Sequence, residues 1–243
     1  PNKWHRQTAL RLIGQRKDAA VVPLLQQSIE KNVGQFSLEC LWALYQVGAL
    51  DESFAQVALS HKEPLVREWT VRLLGDMTLA VAAKPVVDMS RVQPVAASAN
   101  GQASVATSEK QTAFQADAHL IGHRASETRV SDSIAKKLVD VAKGETYVRV
   151  RSQLASTAKR LPADQALPLI DALLAHNEDA DDIHIPLLLW WAIESKATKN
   201  ATDIVALFNN AEVWKRPLAE KHLVARLMQR FAQGGSRNDL VTC

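Results

Sequence analysis

DDIHIPLLLWWAIESKA, residues 181–197, decides the fold class. Between Ile183 and Ile193 a single His and a single Pro interrupt an otherwise apolar run. Ile183, Leu187, Trp190, Trp191 and Glu194 follow one helical face, while Ile185, Leu188, Leu189, Ala192 and Ile193 fill the rest. A helix that is apolar all round is enclosed by other elements. This one is shorter than the about 20 apolar residues that a bilayer crossing takes. It reads as the inner helix of a helical protein, with neighbours stacked on both sides.

Outward from it, helix-length pieces alternate with residues that start or stop helices. Pro162 and Asp164 open a helix to about 175, and HNEDADD (176–182) leads from it into the inner helix. Beyond it come 202–210 and 213–232, the second broken or kinked by Pro217. Toward the N-terminus, 132–144 ends at Gly144 and 147–160 is its partner. The first third predicts helices over 3–16, 19–32 (capped by Asp18), 35–47 (ended by Gly48), 52–61 (capped by Asp51) and 64–77 (opened by Pro64).

Some of these pieces are copies. RQTALRLIGQ (6–15) aligns without gaps on REWTVRLLGD (67–76), matching Arg6 to Arg67, Arg11 to Arg72 and Gly14 to Gly75. VRVRSQLAS (148–156) is a weaker third copy, with Arg149 placed over Arg67. VPLL (22–25) and IPLL (185–188) recur in the alternate helices. Repeats of about 30–40 residues, each a helix pair, predict an α-solenoid, because one pair cannot cover its own apolar face. The expectation is an all-α, right-handed solenoid of about five helix pairs. Residues 1–78 and 131–243 carry the repeats. The stretch 79–130, rich in Ala, Ser, Gln and Thr, reads as a low-complexity insertion, partly disordered and looped out.

Composition sets outer bounds. Of 243 residues, 47% are hydrophobic and 23% charged, and only nine are Gly, which favours a helical class. A net charge of +3 is far from the basic stripe of a dedicated nucleic-acid binder. The two cysteines, Cys40 and Cys243, indicate no disulfide framework, and Cys40 reads as a small buried apolar residue. The first helical pattern begins at residue 3 and the last repeat is uncovered, so the chain is expected to be a piece of a longer one.

Paired helices with a proline early in one and an arginine in the other resemble HEAT repeats. VREWTVRLLGD, VRVRSQLASTAKRLP, DDIHIPLLLWWAIESKA and RLMQRFAQGG resemble, more narrowly, the HEAT-repeat segment of large bacterial multidomain dehydrogenase-like proteins. The similarity covers residues 3–78 and 129–243. In that family a β-propeller precedes the repeats and a c-type cytochrome domain with a CxxCH motif follows. The resemblance implies a non-catalytic scaffold, a spacer in an exported, periplasmic type of protein. It implies haem in a following domain and none in this segment, and protein domains of the same parent chain as partners.

Candidate sites are few. His176, Asp179, Asp181, Asp182 and His184 cluster before the inner helix. Imidazoles and carboxylates so close are candidate metal ligands, but the spacing has no EF-hand glycine and no HExxH, and Asp181 or Asp182 equally suits a helix cap. Arg67 and Arg149, with Arg6 and Arg151, are candidates for an interaction surface. A basic groove of this kind serves HEAT-fold DNA glycosylases, which is the alternative reading alongside a free-standing HEAT adaptor. Glu63, Glu68 and Asp76 interleave with these arginines, which argues for a ladder between helices and against phosphate contacts. Trp190 and Trp191 point about 100° apart, so they cannot share one core layer. Core packing is the expected role of both, and each is a candidate for the one that reaches an interaction surface, where Trp is often a hot spot. Ser152 and Ser156 have no nucleophile elbow and no paired His. No catalytic residue, no cofactor and no membrane partner is expected.

Overall fold

A computed structural model describes residues 2–82 and 127–233, and every regular element among them is helical. In order they are α1 (Lys3–Arg16), α2 (Val22–Lys31), α3 (Gln35–Val47), α4 (Glu52–Leu59), α5 (Pro64–Ala82), α6 (Asp132–Gly144), α7 (Val148–Ala158), α8 (Ala163–Leu174), α9 (Ile185–Ala197), α10 (Ala201–Phe208), α11 (Ala211–Trp214) and α12 (Val224–Gln233). Single 3-10 turns precede α2 and α9, and a π turn, Ala219–Leu223, precedes α12. Local chemistry sets the ends. Asp51 Oδ1 accepts the Phe54 N–H at 2.8 Å, Ser131 Oγ accepts that of Ile134, and Gly48 ends α3 at φ 84°. Pro217 splits the final helical stretch, with α11 before it and the π turn after it.

The helices form two layers. One runs α1, α3, α5, α7, α9 and α12, each packed on the next; the other runs α2, α4, α6, α8 and α10. Contacts within the first layer stay in step: Arg149 reaches Glu68 near the starts of α7 and α5, and Arg160 reaches Asp76 near their ends. The two helices are therefore parallel. Between the layers lies a core of leucine, isoleucine, valine and alanine that includes Ile29, Leu41, Leu59, Val66, Leu138, Leu154, Ile170 and Leu189.

The burial pattern corrects the alignment of the third copy. Val66, Arg67, Thr70, Val71, Leu73 and Leu74 match Val150, Arg151, Leu154, Ala155, Thr157 and Ala158, so Arg151, not Arg149, is the counterpart of Arg67. The same pattern continues on α9 as Ile185, Pro186, Leu189, Trp190, Ala192 and Ile193. The limits of the expected insertion also move. Helix α5 runs to Ala82, and Thr128 is buried, its N–H donating to Arg160 O at 2.7 Å and its hydroxyl to Gly75 O at 3.1 Å. Val130 exchanges two hydrogen bonds with the Gln165 amide. The rest of that stretch, 83–126, lies outside the described residues.

Gly14 and Gly75 match in sequence but not in surroundings. A Cβ on Gly14 would meet the Gln46 amide oxygen at 2.6 Å, the free end of an exposed side chain. A Cβ on Gly75 would meet Thr157 Cγ2 at 3.0 Å and Arg160 Nη2 at 2.9 Å; Thr157 is fully buried and Arg160 is tied to Asp76. Gly14→Ala is expected to be neutral or to stabilise by up to ~1 kcal/mol through helix propensity. Gly75→Ala is expected to destabilise by about 1–2 kcal/mol through overpacking. Urea unfolding of the two variants checks this, and equal effects would contradict it.

Candidate functional site

Two arginines span neighbouring turns in the same way. Arg67 donates from Nε and Nη2 to the Glu145 carboxylate, both at 2.7 Å, and from Nη1 to His61 O at 2.7 Å. Arg151 donates from Nε and Nη2 to Asp179 at 2.6 and 2.5 Å, and from Nη1 to Glu145 O at 3.0 Å. Each guanidinium thus grips a carbonyl six residues back and a carboxylate in a connection between two other helices, Glu145 after α6 for Arg67 and Asp179 after α8 for Arg151. Glu145 links the two rungs, its side chain to Arg67 and its carbonyl to Arg151. Burial alone would raise the Glu145 carboxyl, but hydrogen bonds from Arg67 and Tyr147, with the Arg67 charge, hold it below the usual range. The Asp179 hydrogen bond raises Arg151 further, against its burial. The register position of Arg67 and Arg151 is held on α9 by Pro186, so these two rungs have no counterpart there.

A second set of like contacts lies beside the first. His61 Nε2 bonds Ile29 O at 2.9 Å, His176 Nε2 bonds Ala142 O at 2.6 Å, and His222 Nε2 bonds Ala180 O at 2.7 Å. Each imidazole bonds a backbone carbonyl of an earlier segment.

The candidate metal ligands are drawn in different directions. Asp179 is buried against Arg151, and Asp181 reaches Lys221 at 3.1 Å. Asp182 Oδ1 accepts the His184 and Ile185 N–H groups, both at 2.8 Å, and caps α9. Among the described residues no group of three His, Cys, Asp or Glu converges as metal ligands would. Asp182→Ala is expected to lower stability by about 1 kcal/mol through loss of the cap, and Asp181→Ala by much less. Thermal melts with and without added Zn2+ or Ca2+ check both roles; a metal-dependent rise lost in Asp181→Ala would restore the metal reading.

The tryptophans separate as their angle requires. Trp190 is half-buried against the core, whereas Trp191 is 42% exposed. Leu187 is exposed one turn earlier and Ile183 is 85% exposed. Among the described residues, helix α9 packs on one side, against α7, α8, α10 and α12, and Ile183, Leu187 and Trp191 on its other side are exposed despite an apolar sequence. Arg149 is exposed and paired with Glu68 at 3.0 Å, while Arg67 is occupied by its rung. No helix among the described residues is long and apolar enough to cross a membrane.

One buried cation went unread in the sequence. Lys196 is 1% exposed, and its Nζ donates to Lys159 O at 3.1 Å and to Ser195 Oγ at 3.2 Å. Its place three residues after Ile193, on the face of Ile185 and Leu189, was the available signal. Burial pulls its amine down to about 8, against the Glu127 charge and with a smaller push from the Lys159 charge. A serine beside a lysine of lowered pKa serves as a nucleophile in some hydrolases. Here the Ser195 hydroxyl, on an exposed residue, donates to Ala192 O at 2.8 Å, and the Lys196 amine is sealed from solvent. Cys40 is buried, and burial followed by the Glu39 charge pushes its thiol up to about 11, away from the nucleophilic thiolate.

An apolar groove of about 360 Å³ opens between α1 and α2, floored by Phe36, Cys40 and Ala43 of α3. Comparison with known proteins adds nothing to this geometry: no protein-family model, no curated protein and no solved structure matches the chain.

Proposed function

We propose that the chain is a HEAT-like, right-handed α-solenoid acting as a non-catalytic scaffold, the spacer between domains of an exported, dehydrogenase-like c-type haem protein. The observation that carries the scaffold reading is the repeated rung, Arg67 to Glu145 and Arg151 to Asp179, each with its carbonyl six residues back. Bonding repeated at constant register suits a stack of like units in which each touches its neighbours. Such a stack is a stiff strut with a broad face, and that is what a spacer requires. Side chains that carry chemistry elsewhere are engaged in structure here: Asp179 in a rung, Asp182 in a cap and the buried Lys196 amine in a hydrogen bond to Lys159 O.

The spacer role rests on the resemblance of VREWTVRLLGD and DDIHIPLLLWWAIESKA to the repeats between a β-propeller and a cytochrome domain. Haem belongs to that neighbouring domain, and the partners are domains of the same parent chain. The test is the parent polypeptide produced whole. A c-type pyridine haemochrome spectrum is expected, and replacing this segment by a flexible linker should slow electron transfer to the haem while leaving each domain folded. A parent without haem would overturn the spacer and leave a free-standing adaptor.

A further inference from the structure

Residues 22–47 overlie 52–77 without gaps, so the helix pair α2–α3 repeats as α4–α5. Leu25, Ile29, Leu41 and Leu44 fall on Ala55, Leu59, Val71 and Leu74, and all eight are buried. Two positions break the match. Leu24 is 64% exposed where α4 has the buried Phe54. Phe36 is 53% exposed where α5, α7 and α9 have Val66, Val150 and Ile185, all fully buried. Helix α1 differs from α5 in the same way. Its Ala9, Leu10 and Ile13 stand where α5 has the buried Thr70, Val71 and Leu74, yet α1 buries no residue. These five uncovered positions are neighbours, for all of them line the apolar groove between α1 and α2.

The covered counterparts meet a helix of the second layer. Helix α4 lies against α5 and against α2, its neighbour in that layer. The groove is the place where a second-layer helix would meet α1 and α2 in those two ways. The charged side chains on its wall, Arg6 and Glu39, are paired with each other at 2.9 Å, and the Gln35 amide also donates to Glu39. Their charges offset, so the rest of the wall, which is apolar, selects the occupant by spacing and not by sign. Helices of the second layer share one seam. Leu25 and Ile29 in α2, Ala55 and Leu59 in α4, and Ile134, Leu138 and Ala142 in α6 are buried at every fourth residue.

We propose that the α1–α2 groove docks an amphipathic helix of a partner domain, which lies on α1 as α4 lies on α5 and presents large aliphatic side chains at every fourth position. A helix seated in an apolar groove is held by anchors of this spacing. The contacts it makes are of the kind that already joins the repeats, so the interface inside the stack continues through the groove. This inference rests on the scaffold reading and names the seat and the seam of one partner.

A fluorescein-labelled peptide with the sequence of residues 19–33, AAVVPLLQQSIEKNV, tests it, held helical by a staple between positions 23 and 27, both exposed in α2. The control peptide carries Leu25→Asp and Ile29→Asp. Anisotropy titrations use the 243-residue chain. The first peptide is expected to bind saturably and the control about 30-fold more weakly, as loss of the anchors requires. In the chain, Leu24→Gln and Phe36→Asp should each weaken binding roughly ten-fold. Both residues are exposed, so circular dichroism melts of these variants should match wild type. Leu187→Gln, an equally polar change on the exposed side of α9, should leave binding unchanged. Equal binding of the two peptides, no saturable binding, or affinity undiminished by both Leu24→Gln and Phe36→Asp would overturn the proposal. So would a wild-type dimer in sedimentation that Phe36→Asp renders monomeric, because the groove would then hold a second copy. None of these outcomes touches the haem spectrum of the parent, so the two readings fail separately.

Discussion

Replacing Asp179 by Ala should be among the most damaging single changes in the chain, costing about 3–5 kcal/mol. Arg151 is 4% exposed, and both of its hydrogen bonds to a side chain end on the Asp179 carboxylate. Without that carboxylate a full charge remains in the core with Glu145 O and, at 3.4 Å, the exposed Glu178. Neither restores the bidentate geometry. For a domain of this size the melting temperature should fall by about 10 °C. The pair itself is a different matter, because bringing two charges out of water offsets most of their attraction. Arg151→Met combined with Asp179→Leu is therefore expected to recover to within ~1–2 kcal/mol of wild type. Glu145→Ala should cost less than Asp179→Ala, since Arg67 keeps the His61 carbonyl and is less enclosed. Urea unfolding of the three variants beside wild type reads all of this. If Asp179→Ala lies within 1 kcal/mol of wild type, the rung is not a latch.

How far the sequence foretold this arrangement depends on which signal each feature leaves. Helix limits were legible because their chemistry is local: Asp51, Gly48 and Pro64 each act within a turn of their own position. The register of the third copy was not, because Arg149 and Arg151 flank Val150 and the letter alone does not say which faces inward. The apolar frame settles it, Val66 with Val71 and Leu74 against Val150 with Ala155 and Ala158, once small alanines are allowed to stand for larger residues. The inner helix was over-enclosed for a related reason. Ile183, Leu187 and Trp191 are as apolar as their buried neighbours, so periodicity carries no information about which face meets solvent. Asp179 and Asp182 sit three residues apart with opposite fates, one in a rung and one in a cap. Only the position of the neighbouring helix separates them.

Lys196 yields the second large effect, and its sign is opposite. Burial holds the folded-state amine down to about 8 from the 10.5 of an open lysine, so below pH 8 the fold carries the cost of a charged amine in its core. A shift of that size corresponds to on the order of 3 kcal/mol. Lys196→Met removes the charge and keeps the stem, and loses the hydrogen bond to Lys159 O, worth about 1 kcal/mol. The variant should therefore be more stable than wild type by ~2 kcal/mol at pH 7. The pH dependence follows from the direction of the shift. Between pH 8 and 10.5 the unfolded chain binds the proton that the folded chain has released, so wild type gains stability through this group as pH rises. The advantage of the methionine variant should accordingly shrink across that window and vanish near its upper end. Cys40, whose thiol is raised from 9.0 to about 11, pulls in the opposite direction over an overlapping range, but it is present in both proteins and cancels in the difference. Paired urea titrations from pH 6.5 to 10.5 measure that difference directly. A constant gap would mean that the Lys196 amine binds its proton alike in the folded and unfolded chain, so that burial does not hold it down, and a less stable methionine variant would mean that its two hydrogen bonds outweigh its burial.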